Sequence, residues 1–365
     1  MHDSNFYISN SDNREVSGPL LLKKLWMLAV CIIVILLGLD YLFINHIVYV
    51  NEFSNQGKVK RLIESDNPNE VPVFGASLAR SSFIPDSISP DCYNYGMGKA
   101  LYDVTRILFK IECEKDKSAP IIFEFNQRTF IRNPHSSINA STFIPHLDNE
   151  MIEDFMKESG LLSWHYNVPG LRFYGNYLEY GVGPFKRSTG EKKDNRGVML
   201  ESKTQTDEDV DIFARRLNNM TAKRAELLEQ KADSTRFFSF MDEIMLAQLN
   251  DGIYFSYDKE YLREFETLVS NNRQRKFILV TVPMNENFYR ELPNIEEFIS
   301  FATELADRHE NVYYLNYARE LDLDSDYFKD PMHFSTKGAR IFSSVFQKDF
   351  ERITGIDQNG RKTLP

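Results

Sequence analysis

Cysteine is scarce in this chain: only Cys31, Cys92 and Cys113 occur. Three such residues make no disulfide framework, and Cys31 falls inside a long apolar run. Cys92 and Cys113 lie in segments that read as core strand and core helix, where a free cysteine packs as a small hydrophobe. No cysteine-histidine cluster is present either, so the expected chemistry needs neither a metal nor an organic cofactor. Positive charge is in deficit: 43 lysines and arginines face 53 aspartates and glutamates, a formal charge of −10 that disfavours a nucleic-acid backbone as partner. Internal repeats and low-complexity tracts are lacking too. What remains is an ordinary globular composition, 42% hydrophobic over 365 residues, enough for one large α/β domain or two smaller ones.

The strongest signal present is N-terminal. From Leu25 to Leu39 the run LWMLAVCIIVILLGL has no charge, and after Asp40 the sequence returns to YLFINHIVYV. A helix over residues 25–44 reaches roughly 30 Å, the thickness of a hydrocarbon core, if Asp40 lies near the far headgroup layer. Lys23 and Lys24 precede it and belong on the cytoplasmic side. The expected plan is a cytoplasmic tail at 1–24, a single transmembrane helix at 25–44, a stem at 45–70 and an extracytoplasmic domain at 71–350, ending in a tail at 351–365. The alternatives are a buried core helix and a cleaved export signal. Against cleavage, Asp40, Tyr41, Leu42 and Phe43 follow the apolar run where small residues would be expected.

Within 71–350, short apolar runs alternate with helical periodicity. Strands are predicted near 71–75, 92–96, 120–126, 276–283 and 311–318, with helices over about 99–114, 294–308 and 335–350. Leu101, Val104, Leu108 and Ile111 recur at spacings of three and four, one face packed on a sheet. KFILVTVP at 276–283 suits a strand buried on both sides. The alternation predicts a mostly parallel sheet with helices on both faces. Residues 127–255 break the rhythm and read as an insertion: a glycine- and aromatic-rich loop region, then helices. The insertion could wall a substrate site beyond the carboxyl ends of the strands.

Candidate chemistry converges on those ends. In VFGASLARSS, Ser77 follows a strand after the small pair Gly75 and Ala76, at the start of a helix whose backbone N–H groups could hold developing negative charge. In KDPMHFSTKGA, Asp330 and His333 stand three residues apart before the last helix, with Ser335 or Thr336 as its cap. A histidine there could take the proton of Ser77, and a carboxylate could fix its tautomer. Gly98 and Asn126, at two further strand ends, could donate to an oxyanion, though Asn126 could equally terminate its strand. Arg80, three residues past Ser77, serves either an anionic part of a substrate or an internal salt bridge. The basic cluster KRSTGEKKDNR at 186–196 meets a surface polymer or lipid headgroups, or is a solvated loop.

These blocks resemble the SGNH, or GDSL-like, hydrolase superfamily: FGASLARSS its first block, NYGMGK its second, FEFNQ its third and DPMHFSTKGA its last. The resemblance covers 71–126 and 276–350. It implies a flavodoxin-like, three-layer α/β/α fold with a parallel sheet, Ser77 as nucleophile, Asp330 and His333 as its partners, and Ser77 N–H, Gly98 and Asn126 as oxyanion donors. Ala76 stands where the family usually has aspartate, and glutamine follows Asn126. With its N-terminal apolar helix the chain looks more like the anchored branch of DltD-like and polysaccharide O-acetylation proteins than like secreted lipases. That branch implies a serine acyltransferase or esterase modifying a cell-surface glycan at the inner or plasma membrane. The implied partners are the bilayer, the acylated polymer and a multispanning O-acyltransferase. The competing expectation is a non-catalytic glycan-binding or assembly protein on a degenerate scaffold.

Overall fold

The computed structural model describes residues 18–49, 54–98, 100–127, 129–130, 140–174, 257–284, 295–321, 323–329 and 333–356. Helix α1 spans Gly18–Phe43 and continues as a π-helical turn over Ile44–Val48. Its apolar window, Leu21–His46, is long and apolar enough to cross a membrane, and its side chains from Leu21 to Leu42 are largely exposed.

The rest is α/β. In chain order come α2 (Asn55–Glu64), β1 (Val71–Phe74), α3 (Ser77–Ser82), α4 (Pro85–Ile88), β2 (Cys92–Asn94), α5 (Tyr102–Cys113) and β3 (Ile121–Glu124). Then follow α6 (Glu150–Glu158), α7 (Lys259–Asn271), β4 (Phe277–Thr281), α8 (Ile295–Arg308), β5 (Val312–Asn316), α9 (Tyr317–Glu320) and α10 (Thr336–Thr354). The five strands form one sheet in the order β2-β1-β3-β4-β5, every pairing parallel. This is a doubly wound order whose direction of winding reverses between β1 and β3.

Side chains alternate across the sheet, and each face has its own helical cover. Phe74, Ile121, Phe123, Phe277 and Leu279 pack with α2, α5, α7 and α8. Val71, Val73, Ile122, Ile278 and Val280 pack with α4 and α10 on the opposite side. Burial on both faces is why these strands read as continuous apolar runs rather than as alternations. The periodic face of α5 behaves as its spacing predicts: Val104, Leu108 and Ile111 are buried, while Leu101 is the N-cap. Cys92 and Cys113 are buried free thiols.

The segment read as a stem holds α2, and that helix is part of the domain. Val59 and Leu62 are fully buried, and α2 packs against α5. The i, i+3 spacing of those two side chains gives α2 an inner face, which a stem does not need. In the insertion, α6 and short 3-10 turns are described through Tyr174. The expected helices and loop over 175–255, with the basic cluster 186–196, lie outside the described residues.

Candidate active site

Ser77 opens α3 immediately beyond β1, and the turn that delivers it depends on Gly75. That glycine has φ of +146°, and a Cβ there would lie 2.5 Å from Glu124 Cβ and 2.7 Å from Ala79 Cβ. Only a residue without a side chain allows β1 and β3 to approach this closely while the chain swings into the helix. Glu124, the last residue of β3, completes the turn: its Oε2 accepts the Ala76 N–H at 3.0 Å, one residue before the serine.

His333 arrives from the far end of the chain. Phe328 and Phe334 form an antiparallel bridge, their buried rings 5.1 Å apart. Lys329 N–H donates to His333 O, and Ser335 caps α10 by accepting the Gly338 N–H. With Phe334 fixed in the core on one side of it, His333 is left at the surface of the strand ends. There its Nε2 lies 2.8 Å from Ser77 Oγ. Both side chains are half-buried. At this distance the serine hydroxyl can donate to the ring nitrogen, the contact that general-base activation of a serine requires.

The other expected site residues divide. Asp330 lies outside the described residues. Gly98 follows β2 and packs under Arg80, whose Nη1 would be 3.2 Å from a Cβ at that glycine. Asn126 sits just past β3 and is buried; its Oδ1 accepts the Thr129 N–H at 3.3 Å, so it does close the end of its strand. Its amide nitrogen is the group that would donate to a ligand. The Ser77 N–H belongs to the first turn of α3, where backbone donors have no intrahelical acceptor.

Two charged residues at this end of the sheet were not among the expected ones. Glu124 had a visible trace, a lone carboxylate inside the apolar run PIIFEFN. Lys58 is the other. It is buried, donates from Nζ to Gly96 O at 2.7 Å, and has its pKa pushed well below the usual lysine range by burial and then by Arg80. Nothing short of placing α2 against the sheet brings Lys58 here. Arg80 thus places positive charge on the Gly96–Gly98 side of the serine, and that charge disfavours the buried Lys58 ammonium.

Among the described residues no three of histidine, cysteine, aspartate and glutamate are grouped to hold a metal ion. A cavity of about 500 Å³ lined by Asn45, Tyr49, Gly57, Lys60, Arg61, Glu64 and Ser65 shares no residue with the Ser77–His333 pair. No protein-family model matches the chain, and no curated protein matches it.

Proposed function

We propose that the chain is a membrane-anchored serine acyltransferase or ester hydrolase of SGNH type, working through an acyl-enzyme on a surface glycan outside the cytoplasm. One observation carries the reading: Ser77 Oγ and His333 Nε2, 256 positions apart in sequence, are 2.8 Å apart at the carboxyl ends of a parallel sheet. In the proposed reaction Ser77 Oγ attacks an ester carbonyl as His333 takes its proton. The C–O bond to the leaving group breaks, and the imidazolium returns the proton to the departing oxygen. A sugar hydroxyl or water then attacks the acyl-serine by the same proton route and frees Ser77. Asp330 orients the imidazole, and Ser77 N–H, Gly98 and Asn126 receive the oxyanion. Arg80 favours a substrate with negative charge beside the ester. Transfer and hydrolysis differ only in the acceptor; a multispanning O-acyltransferase would supply acyl groups from across the membrane.

The test is intact mass of the full chain in detergent after exposure to a small activated acyl ester. Wild type is expected to gain one acyl group and Ser77→Ala none. An adduct that persists in Ser77→Ala, or a wild type that never acquires one, overturns the proposal.

A further inference from the structure

We propose that residues 161–174 form a second membrane contact, a non-spanning segment seated at the lipid-water boundary of the leaflet through which α1 emerges. This rests on α1 crossing the bilayer, and the test below reports on that separately.

The problem that points to it is Asp40. Asp40 lies sixteen positions after Lys24, which is about 24 Å of helix, short of the roughly 30 Å hydrocarbon core. A carboxylate at that depth needs a partner. The partner comes from the insertion: Arg172 Nε lies 3.2 Å from Asp40 Oδ2, and the Gly170 N–H donates to Oδ1 at 3.2 Å. Asp40 is left buried. One turn deeper, Gly170 lies flat on the helix with φ of +76°, and a Cβ there would come within 2.7 Å of Leu36 Cδ2. At the emerging end, the rings of Phe173 and Phe43 are 4.8 Å apart, and Phe173 packs with Val48 and Ile144. Contacts at Leu36, Asp40 and Phe43 therefore hold the segment alongside the last two turns of the span.

That depth decides what the outward side chains meet. Trp164 is 76% exposed, Tyr174 70% and Leu171 40%. Beside a water-soluble element they would be an apolar patch without a purpose. Beside the emerging turns of a span they are the amphipathic aromatics and apolar side chains that settle at a lipid-water boundary. Leu161 and Leu162 pack against the main core, so the segment is tied to the domain as well as to α1. One helix alone would let the domain swivel about its own axis; two contacts fix which face of the domain turns to the bilayer.

The chain has only two tryptophans, Trp26 and Trp164, so the test isolates each. Full-length Trp26→Phe protein is reconstituted in phosphatidylcholine vesicles whose acyl chains carry bromine either near the carbonyl end or near the methyl end. Trp164 emission is expected at blue-shifted wavelength and quenched roughly twofold more by the shallow label than by the deep one, as an interfacial indole should be. Emission at the wavelength of a water-exposed indole, unquenched by either label, overturns the proposal, whether water, a second copy or another protein surrounds the residue. Trp164→Phe protein provides the reference: Trp26 quenched while Trp164 is not leaves the span standing and removes the second contact. Leu171→Glu and Arg172→Ala, each on the Trp26→Phe background, should weaken shallow quenching; if neither does, the contacts described do not seat the segment.

Discussion

If His333 is the base proposed for Ser77, its neighbours must keep it still. Phe334 is locked in the core, a bridge pairs it with Phe328, and Ser335 caps α10, so the imidazole is presented by three constraints within a few residues. If the ring is the base for Ser77, His333→Ala should slow acylation by about 10²–10⁴-fold, the usual range for a positioned acid-base group. The adduct should still map to Ser77. Time-resolved intact mass gives the rate, and a variant that acylates as fast as wild type assigns the proton to another group. At this scale the sequence is legible where a residue's role follows from its neighbours: Gly75 before Ser77, and Ser335 before a helix. It is illegible where the role comes from contact across the sheet, as with Glu124 holding the Ala76 N–H or Lys58 reaching Gly96 O.

Among the elements, α2 differs most from its sequence reading, and His146 shows what the helix is joined to. The imidazole is buried between Gln56 at the start of α2 and Tyr49 just beyond α1, with Nε2 3.1 Å from Gln56 O and Nδ1 3.3 Å from the Tyr49 hydroxyl. A neutral ring suits both, donating to the carbonyl and accepting from the phenol. Burial lowers its pKa from 6.5 to about 4, a shift that the Gln56 carbonyl opposes. Between those values the unfolded chain binds a proton that the folded chain refuses, so stability rises with pH across the window and falls on acidification toward pH 4. The full swing is about 3 kcal/mol. Denaturant unfolding of wild type and His146→Gln at pH 7 and near pH 4 measures it. The glutamine variant should lose less stability on acidification by about that amount, and equal losses would show that His146 does not drive the acid response.

On the scale of the whole molecule, the two ends of the sheet are built for different ends. Beneath the amino ends of β3 and β4, the fully buried Arg275 donates from Nε to Ala119 O at 2.8 Å, from Nη1 to Glu112 O at 3.1 Å and from Nη2 to Glu112 Oε1 at 3.0 Å. One guanidinium thereby ties α5 to two neighbouring strands, far along the strands from the Ser77–His333 pair. Removing it leaves Glu112 buried with only Lys115 and Lys117 nearby, at 3.1 and 3.5 Å. Arg275→Leu should cost about 3 kcal/mol by denaturant unfolding, while, on the proposed function, ester turnover per folded molecule stays at the wild-type value. A loss of turnover without a loss of stability would contradict this division.

The sequence by itself determined the parts: an apolar N-terminal helix, five strands, the helices α5, α8 and α10, Ser77 at a strand end and His333 before a capped helix. Each is a local pattern of period, cap or turn, and local patterns are written in neighbouring residues. Only the tertiary structure decided that β1 lies between β2 and β3, that α2 joins the core and that Arg172 answers Asp40; the meeting of Ser77 with His333 was expected from their motifs, and the fold supplies its distance. Those outcomes depend on which faces pack together once the chain has crossed over the sheet. Long-range packing of that kind leaves no period in the sequence from which it could be read.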